Sequence, residues 1–272
     1  MTTQWRNVLA GLVWVLGLLP AAGRAAQPQT YVFTPPEWPQ PLSGDLYRPA
    51  SCTACPVVLL IHGGGWRSGK RTHMHAFAAD LQARGYAAFS IDYRLVPAYI
   101  FPAQLDDVRL ALEWLQAQAP ALGLDAQRIG AWGYSAGAHL AALAALTTET
   151  PRVRAVVAGG LPADLVAAAD SPLVQRFLGG TLEQMPERYR AASPLHQVDA
   201  NAPPMFLYHA RWDWIVSSEH PRRMQAALAS AGVDHALEWL GWRGHIAGFF
   251  WPGAAREHAL DFLDRHLRFA PP

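Results

Sequence analysis

In Gly133-Tyr134-Ser135-Ala136-Gly137 a serine stands between glycines, with a strand-like run before it (Arg128 to Tyr134) and a helix-like run after it (Ala136 to Leu146). Small residues at both flanks let the chain turn sharply enough to lift the serine hydroxyl clear of a sheet. The same alternation of strand and helix extends in both directions. Upstream, Pro56-Val57-Val58-Leu59-Leu60-Ile61 is a continuous apolar run of strand length, the pattern of a strand buried on both faces. A helix-like stretch from Thr72 to Arg84 follows, ended by Gly85, then a strand from Tyr86 to Ile91. Ala103 to Ala119 carries apolar residues at Leu105, Val108, Leu112 and Leu115, which predicts an amphipathic helix stopped before Pro120. Downstream, Val153–Ala158, Met205–Tyr208 and Ala236–Leu240 read as strands, and Glu219–Ala231 and Gly253–Leu267 as helices. Short β-like runs at Tyr31–Thr34 and Asp45–Tyr47 precede them all. The pattern predicts an α/β fold with a mostly parallel sheet covered by helices on both faces. One long connection, Leu161 to Pro204, breaks the rhythm and is expected to be an irregular, lid-like helical excursion above the sheet.

Composition narrows the function classes. With 272 residues, 51% hydrophobic and 16% charged, the chain is neither disordered nor fibrous. A formal net charge of +1 offers no electrostatic footprint for nucleic acid or for an anionic membrane surface. Arg6, an apolar run from Val8 to Leu19, and small residues to Ala26 have the plan of a signal peptide over residues 1–25, leaving a single domain over 26–272. Twelve apolar positions fall short of the ~20 that span a bilayer, so no stable membrane insertion is expected after cleavage, an uncleaved anchor being the alternative. Cys52-Thr53-Ala54-Cys55 admits a redox motif, half a zinc site or a local disulfide. Its position between strand-like segments, in an exported chain, favours the disulfide.

A second motif, His62-Gly63-Gly64-Gly65-Trp66, directly follows the strand ending at Ile61. Glycines there leave backbone N–H groups open to an oxyanion. With both motifs in this order the sequence resembles the α/β-hydrolase superfamily. The pattern is closer to compact bacterial esterases, similar to feruloyl and acetyl-xylan esterases, than to the hormone-sensitive-lipase-like carboxylesterases that it also resembles. It implies an α/β-hydrolase fold and a serine hydrolase of short-acyl carboxylic esters, including acetyl or feruloyl esters of carbohydrates, working through an acyl-enzyme without metal or cofactor. The family order of serine, acid and histidine falls on Ser135, Asp213 and His245, with Asp199 and Asp234, and His235, His258 and His266, as the rivals. The implied oxyanion donors are the N–H groups of Gly64, Gly65 and Ala136.

Further residues bear on substrate and on support. Trp66, Trp212, Trp214, Trp242 and Trp251, with Phe249 and Phe250, fall in or beside the loops of these motifs. They read either as core or as an aromatic wall for an aryl or sugar ring, with Trp66, Trp214 and Trp242 as the candidates for substrate contact. Asp106 and Asp107 are expected to act as dipole partners of their helix, and Asp92-Tyr93-Arg94 to support the glycine loop. Kynurenine formamidases share parts of both motifs, so an arylformamidase is the alternative activity, and a non-catalytic binding member of the fold is the alternative of another class.

Overall fold

The structure is a computed structural model and describes residues 27–150 and 152–268. The expected signal peptide lies outside the described residues. Among the described residues eight strands form one sheet: β1 (Gln29–Val32), β2 (Ser43–Tyr47), β3 (Cys55–Ile61), β4 (Ala87–Ile91), β5 (Leu124–Tyr134), β6 (Ala155–Gly159), β7 (Met205–Ala210) and β8 (His235–Leu240). Their order is β1-β2-β4-β3-β5-β6-β7-β8. The β1–β2 and β2–β4 pairs are antiparallel; every other pair is parallel. This is the α/β-hydrolase fold that the two motifs imply.

Around the sheet lie helices α1 (His75–Ala83), α2 (Ala103–Leu122), α3 (Ala136–Thr147), α4 (Pro172–Leu178), α5 (Pro186–Ala191), α6 (Glu219–Ser230), α7 (His245–Phe250) and α8 (Ala255–Leu263). The unbroken apolar run of β3 now has its reason. Val57, Leu59 and Ile61 enter the core shared with α2, α3 and α6, while Val58 and Leu60 enter the core shared with α1 and α8. With helices on both faces, period-2 alternation has no polar side to show. Among the described residues no helix is long and apolar enough to cross a membrane.

Two expectations need correction. Helix α2 does not stop before Pro120 but runs to Leu122, and Gly123 in the left-handed region (φ 66°) ends it. A proline in the last turn removes a single donor, so the glycine cap sets the boundary. Asp107 is no dipole partner, although Asp106 does sit in the first turn of α2. Its carboxylate is wholly buried and accepts bonds from Arg94 N–H (2.8 Å), Arg94 Nε (2.8 Å) and Trp38 Nε1 (2.8 Å), which joins α2 to the Asp92–Arg94 segment. The connection from Leu161 to Pro204 is a helical excursion, as expected, and it is anchored in the core. It holds α4, α5 and a 3₁₀ turn (Pro194–Gln197), and Leu161, Leu165, Phe177, Leu178 and Tyr189 are buried in the main core. Cys52 and Cys55 are disulfide-bonded at the start of β3.

Candidate active site

Ser135 leaves the end of β5 with φ 56° and ψ −121°, outside the regions comfortable for a residue with a side chain. Two close approaches make that turn specific to its glycines. A Cβ on Gly137 would collide with the Ile61 carbonyl, and one on Gly133 with the Gly137 carbonyl. The turn is held by Ser135 N–H to Gly159 O (2.8 Å) and His139 N–H to Ser135 O (3.0 Å).

His245, the first residue of α7, reaches Ser135 across the sheet edge. Its Nε2 is 2.8 Å from Ser135 Oγ, and its Nδ1 is 2.6 Å from Asp213 Oδ2. A carboxylate accepts only, so Nδ1 carries the proton and Nε2 is left as the acceptor facing the serine hydroxyl. The other oxygen, Asp213 Oδ1, accepts the N–H groups of Ile215 (2.9 Å) and Val216 (2.8 Å). Burial pushes the Asp213 carboxyl up, but the His245 bond and charge and the Val216 N–H outweigh it and hold the group below its ordinary value.

Residues to which the motifs gave no role tighten this arrangement. Tyr134 Oη donates to the His245 carbonyl (2.5 Å), fixing the backbone from which the imidazole hangs. Gly160 has φ 57°, and a Cβ there would stand 2.9 Å from His245 Cε1, so the ring occupies space that only glycine leaves free. His209, buried at the end of β7, donates Nε2–H to Val216 O (3.0 Å) with Asp213 Oδ2 3.5 Å away, closing the loop that carries the acid. Burial lowers the His209 pKa, which keeps the ring neutral in that role. Its one sequence signal is a polar residue inside the apolar run of β7.

The glycine loop lies alongside the turn: a Cβ on Gly63 would come within 2.8 Å of the Tyr134 carbonyl. Gly64, at φ 117°, turns its carbonyl into bonds from Arg67 N–H (3.2 Å), Ser68 N–H (3.1 Å) and Ser68 Oγ (3.0 Å). In a planar trans peptide the next N–H points the opposite way, so this also aims the Gly65 donor. Ala136 opens α3, where first-turn N–H groups lack intrahelical partners. Tyr93 supports the loop, its Oη donating to His62 O (2.9 Å) and its ring stacked on the His62 ring at 4.2 Å.

The three tryptophans divide. Trp66 is 2% exposed, stacked on Phe177 at 4.2 Å and bonded through Nε1 to His139 Nδ1 (3.3 Å), so it belongs to the core and not to a substrate wall. Trp214 and Trp242 are 89% and 86% exposed on the loops that bear Asp213 and His245. The rivals lie elsewhere: His258 pairs with Glu238 (2.7 Å), His266 with Asp234 (2.9 Å), His235 Nδ1 faces Val233 O (2.8 Å), and Asp199 caps Asn201 N–H (2.8 Å). Among the described residues no group of three or more His, Cys, Asp or Glu could hold a metal ion.

The BD-FAE family profile matches residues 44–228, two thirds of the chain, including Ser135, Asp213 and the glycine loop. The chain belongs to the BD-FAE family. This BD-FAE protein is 30% identical over 229 residues to "Esterase LipC" of Mycobacterium tuberculosis, which covers 77% of this chain and 54% of LipC. It spans about half the length of the curated relatives it matches. Among solved structures, the propionate-bound esterase Est2 of the Planctomycetes species Thermogutta terrifontis is 25% identical, with a TM-score of 0.75 over 90% of this chain and 96% of that one. An acetyl ester-xyloside bifunctional hydrolase of Caldicellulosiruptor lactoaceticus shares the fold at 22% identity and TM-score 0.77, over 90% of this chain and 98% of that one.

Proposed function

We propose that this BD-FAE protein is a serine hydrolase cleaving carboxylic esters of short acyl groups. The observation that carries the reading is the bonded series Ser135 Oγ, His245 Nε2, His245 Nδ1 and Asp213 Oδ2, at 2.8 and 2.6 Å, set on a strained turn beside the glycine loop. In the reaction His245 takes the Ser135 proton as Oγ attacks the ester carbonyl, and Gly64, Gly65 and Ala136 N–H groups receive the oxyanion. The tetrahedral intermediate collapses, His245 returns the proton to the departing alcohol, and water then releases the acid from the acyl-serine by the same steps. Asp213 holds the imidazole tautomer and stabilises the imidazolium.

A small acyl group is supported by Leu173 of α4, whose methyl carbons would stand 3.0–3.1 Å from a Cβ on Gly65, and by the propionate in the Thermogutta esterase. On the alcohol side, Trp214 and Trp242 are available to stack on an aryl or sugar ring, in keeping with the acetyl ester-xyloside hydrolase of the same fold. Work outside the cytoplasm, in the periplasm or beyond, is supported by the N-terminal apolar run and by the Cys52–Cys55 disulfide.

The test is kcat/KM of wild type and Ser135→Ala over p-nitrophenyl acetate to decanoate, methyl ferulate, acetylated xylan and N-formylkynurenine. A loss on the order of 10⁴-fold in the mutant, with preference for acetyl or feruloyl esters, supports the proposal. Preference for N-formylkynurenine would assign an arylformamidase, and equal low rates for both proteins a non-catalytic binding role.

A further inference from the structure

Trp66 and His139 form a buried bonded pair that has no part in the proton transfers above. His139 lies one helical turn beyond Ser135 and donates its N–H to the Ser135 carbonyl (3.0 Å). Both ring nitrogens are used: Nε2–H donates to Ala192 O (2.6 Å), and Nδ1 accepts from Trp66 Nε1–H (3.3 Å). One neutral tautomer satisfies all of this, and burial keeps the ring neutral by lowering its pKa to about 4. Trp66 in turn follows Gly65 directly, with φ 57°, a left-handed conformation unfavourable for a bulky residue. Its ring stack on Phe177 and its bond to His139 hold that conformation, and Val96 N–H fixes its carbonyl (3.0 Å).

We propose that His139 is a positioning residue that locks the Gly65 N–H against Ser135 by clamping Trp66 to the first turn of α3. Ala192 extends the clamp to the segment 161–204, so that one imidazole ties the nucleophile turn, the glycine loop and the wall of the acyl site together. The proposal rests on the esterase reading above. An oxyanion donor acts only within ~2.7–3.1 Å of the developing charge, so a loosened loop lowers kcat while leaving ground-state binding nearly intact.

The experiment compares wild type, His139→Leu, His139→Gln, Trp66→Phe and the double variant His139→Leu/Trp66→Phe on p-nitrophenyl acetate, with Ser135→Ala as the reference for the chemistry. His139→Leu and Trp66→Phe are expected to lower kcat on the order of 10–100-fold with KM within about 3-fold, a fraction of the loss of a whole oxyanion donor. His139→Gln, which keeps a donor and an acceptor, recovers most of the rate, and the double variant falls no further than the worse single one. Trp66→Phe keeps an aromatic ring in the core, so it carries the test even where His139→Leu fails to fold. The proposal is overturned by a Trp66→Phe kcat within about 2-fold of wild type, by additive losses in the double variant, or by a raised KM at unchanged kcat. Full activity in Ser135→Ala would overturn the esterase reading instead, which keeps the two failures distinct.

Discussion

Asp213→Asn changes one atom and reverses the direction of the proton chain. Asp213 Oδ1 is committed to the N–H groups of Ile215 (2.9 Å) and Val216 (2.8 Å), so the asparagine must place its carbonyl oxygen there. Its amide nitrogen then takes the place of Oδ2, 2.6 Å from His245 Nδ1 in wild type. An amide nitrogen donates, and Nδ1 can face it only as an acceptor, which moves the imidazole proton to Nε2. Nε2–H now points at Ser135 Oγ and the general base is gone, although no atom has been displaced. A triad with the wrong tautomer loses ~10⁴ in kcat, close to 5 kcal/mol of transition-state stabilisation at 1.36 kcal/mol per decade. The assay is steady-state hydrolysis of p-nitrophenyl acetate, with circular dichroism to show that the fold is kept. Turnover within ~10-fold of wild type would refute the tautomer argument and the assignment of Asp213 with it.

Other outcomes follow from the same contacts. Gly160→Ala should lower kcat by at least ~10-fold and Tm by a few degrees, because the methyl carbon meets His245 Cε1 at 2.9 Å and the backbone is left-handed (φ 57°); kinetics and a melting curve check both. Trp66→Ala should destabilise the fold by ~3–5 kcal/mol as a core truncation, while Trp242→Ala, 86% exposed in wild type, stays within ~0.5 kcal/mol but raises KM for aryl esters; urea titration and kinetics separate the two. Tyr134→Phe should lower kcat by roughly 3–30-fold, since the buried His245 carbonyl loses its 2.5 Å donor, and equal rates on the ester panel would count against that support. Burial lowers the pKa values of His62 and His139 to about 4, so the unfolded chain binds more protons than the folded one between about pH 6.5 and 4. Stability should therefore decline as pH falls through that window, and a Tm that is constant from pH 7 to 4 would contradict it.

What was legible in the sequence follows the range of the interactions involved. The apolar run of β3 and the strand–serine–helix junction depend on local pattern, and the sheet reflects them; the order Ser135, Asp213, His245 rested on the family resemblance, and the structure brings those three side chains within hydrogen-bond reach. Helix α7 escaped notice because His245-Ile246-Ala247-Gly248-Phe249-Phe250 is short and contains a glycine, with no apolar period to count. Pro120 read as a stop, yet the helix ends at a glycine cap three residues later. Trp66 and Asp107 are decided by partners far along the chain, Phe177 and His139 for one, Trp38 and Arg94 for the other. Tyr134 and Gly160 have meaning only once α7 is laid over β5 and β6.

The central claim is that Ser135 is an activated nucleophile, and covalent capture tests it most directly. Wild type and Ser135→Ala are incubated with a fluorophosphonate, and intact-mass and peptide mass spectrometry count and locate the adduct. The account predicts one adduct per chain on the peptide containing Ser135, complete loss of esterase activity with labelling, and no adduct in the mutant. A wild type that remains unlabelled at active-enzyme concentrations, or an adduct on another serine with activity lost in parallel, would contradict it.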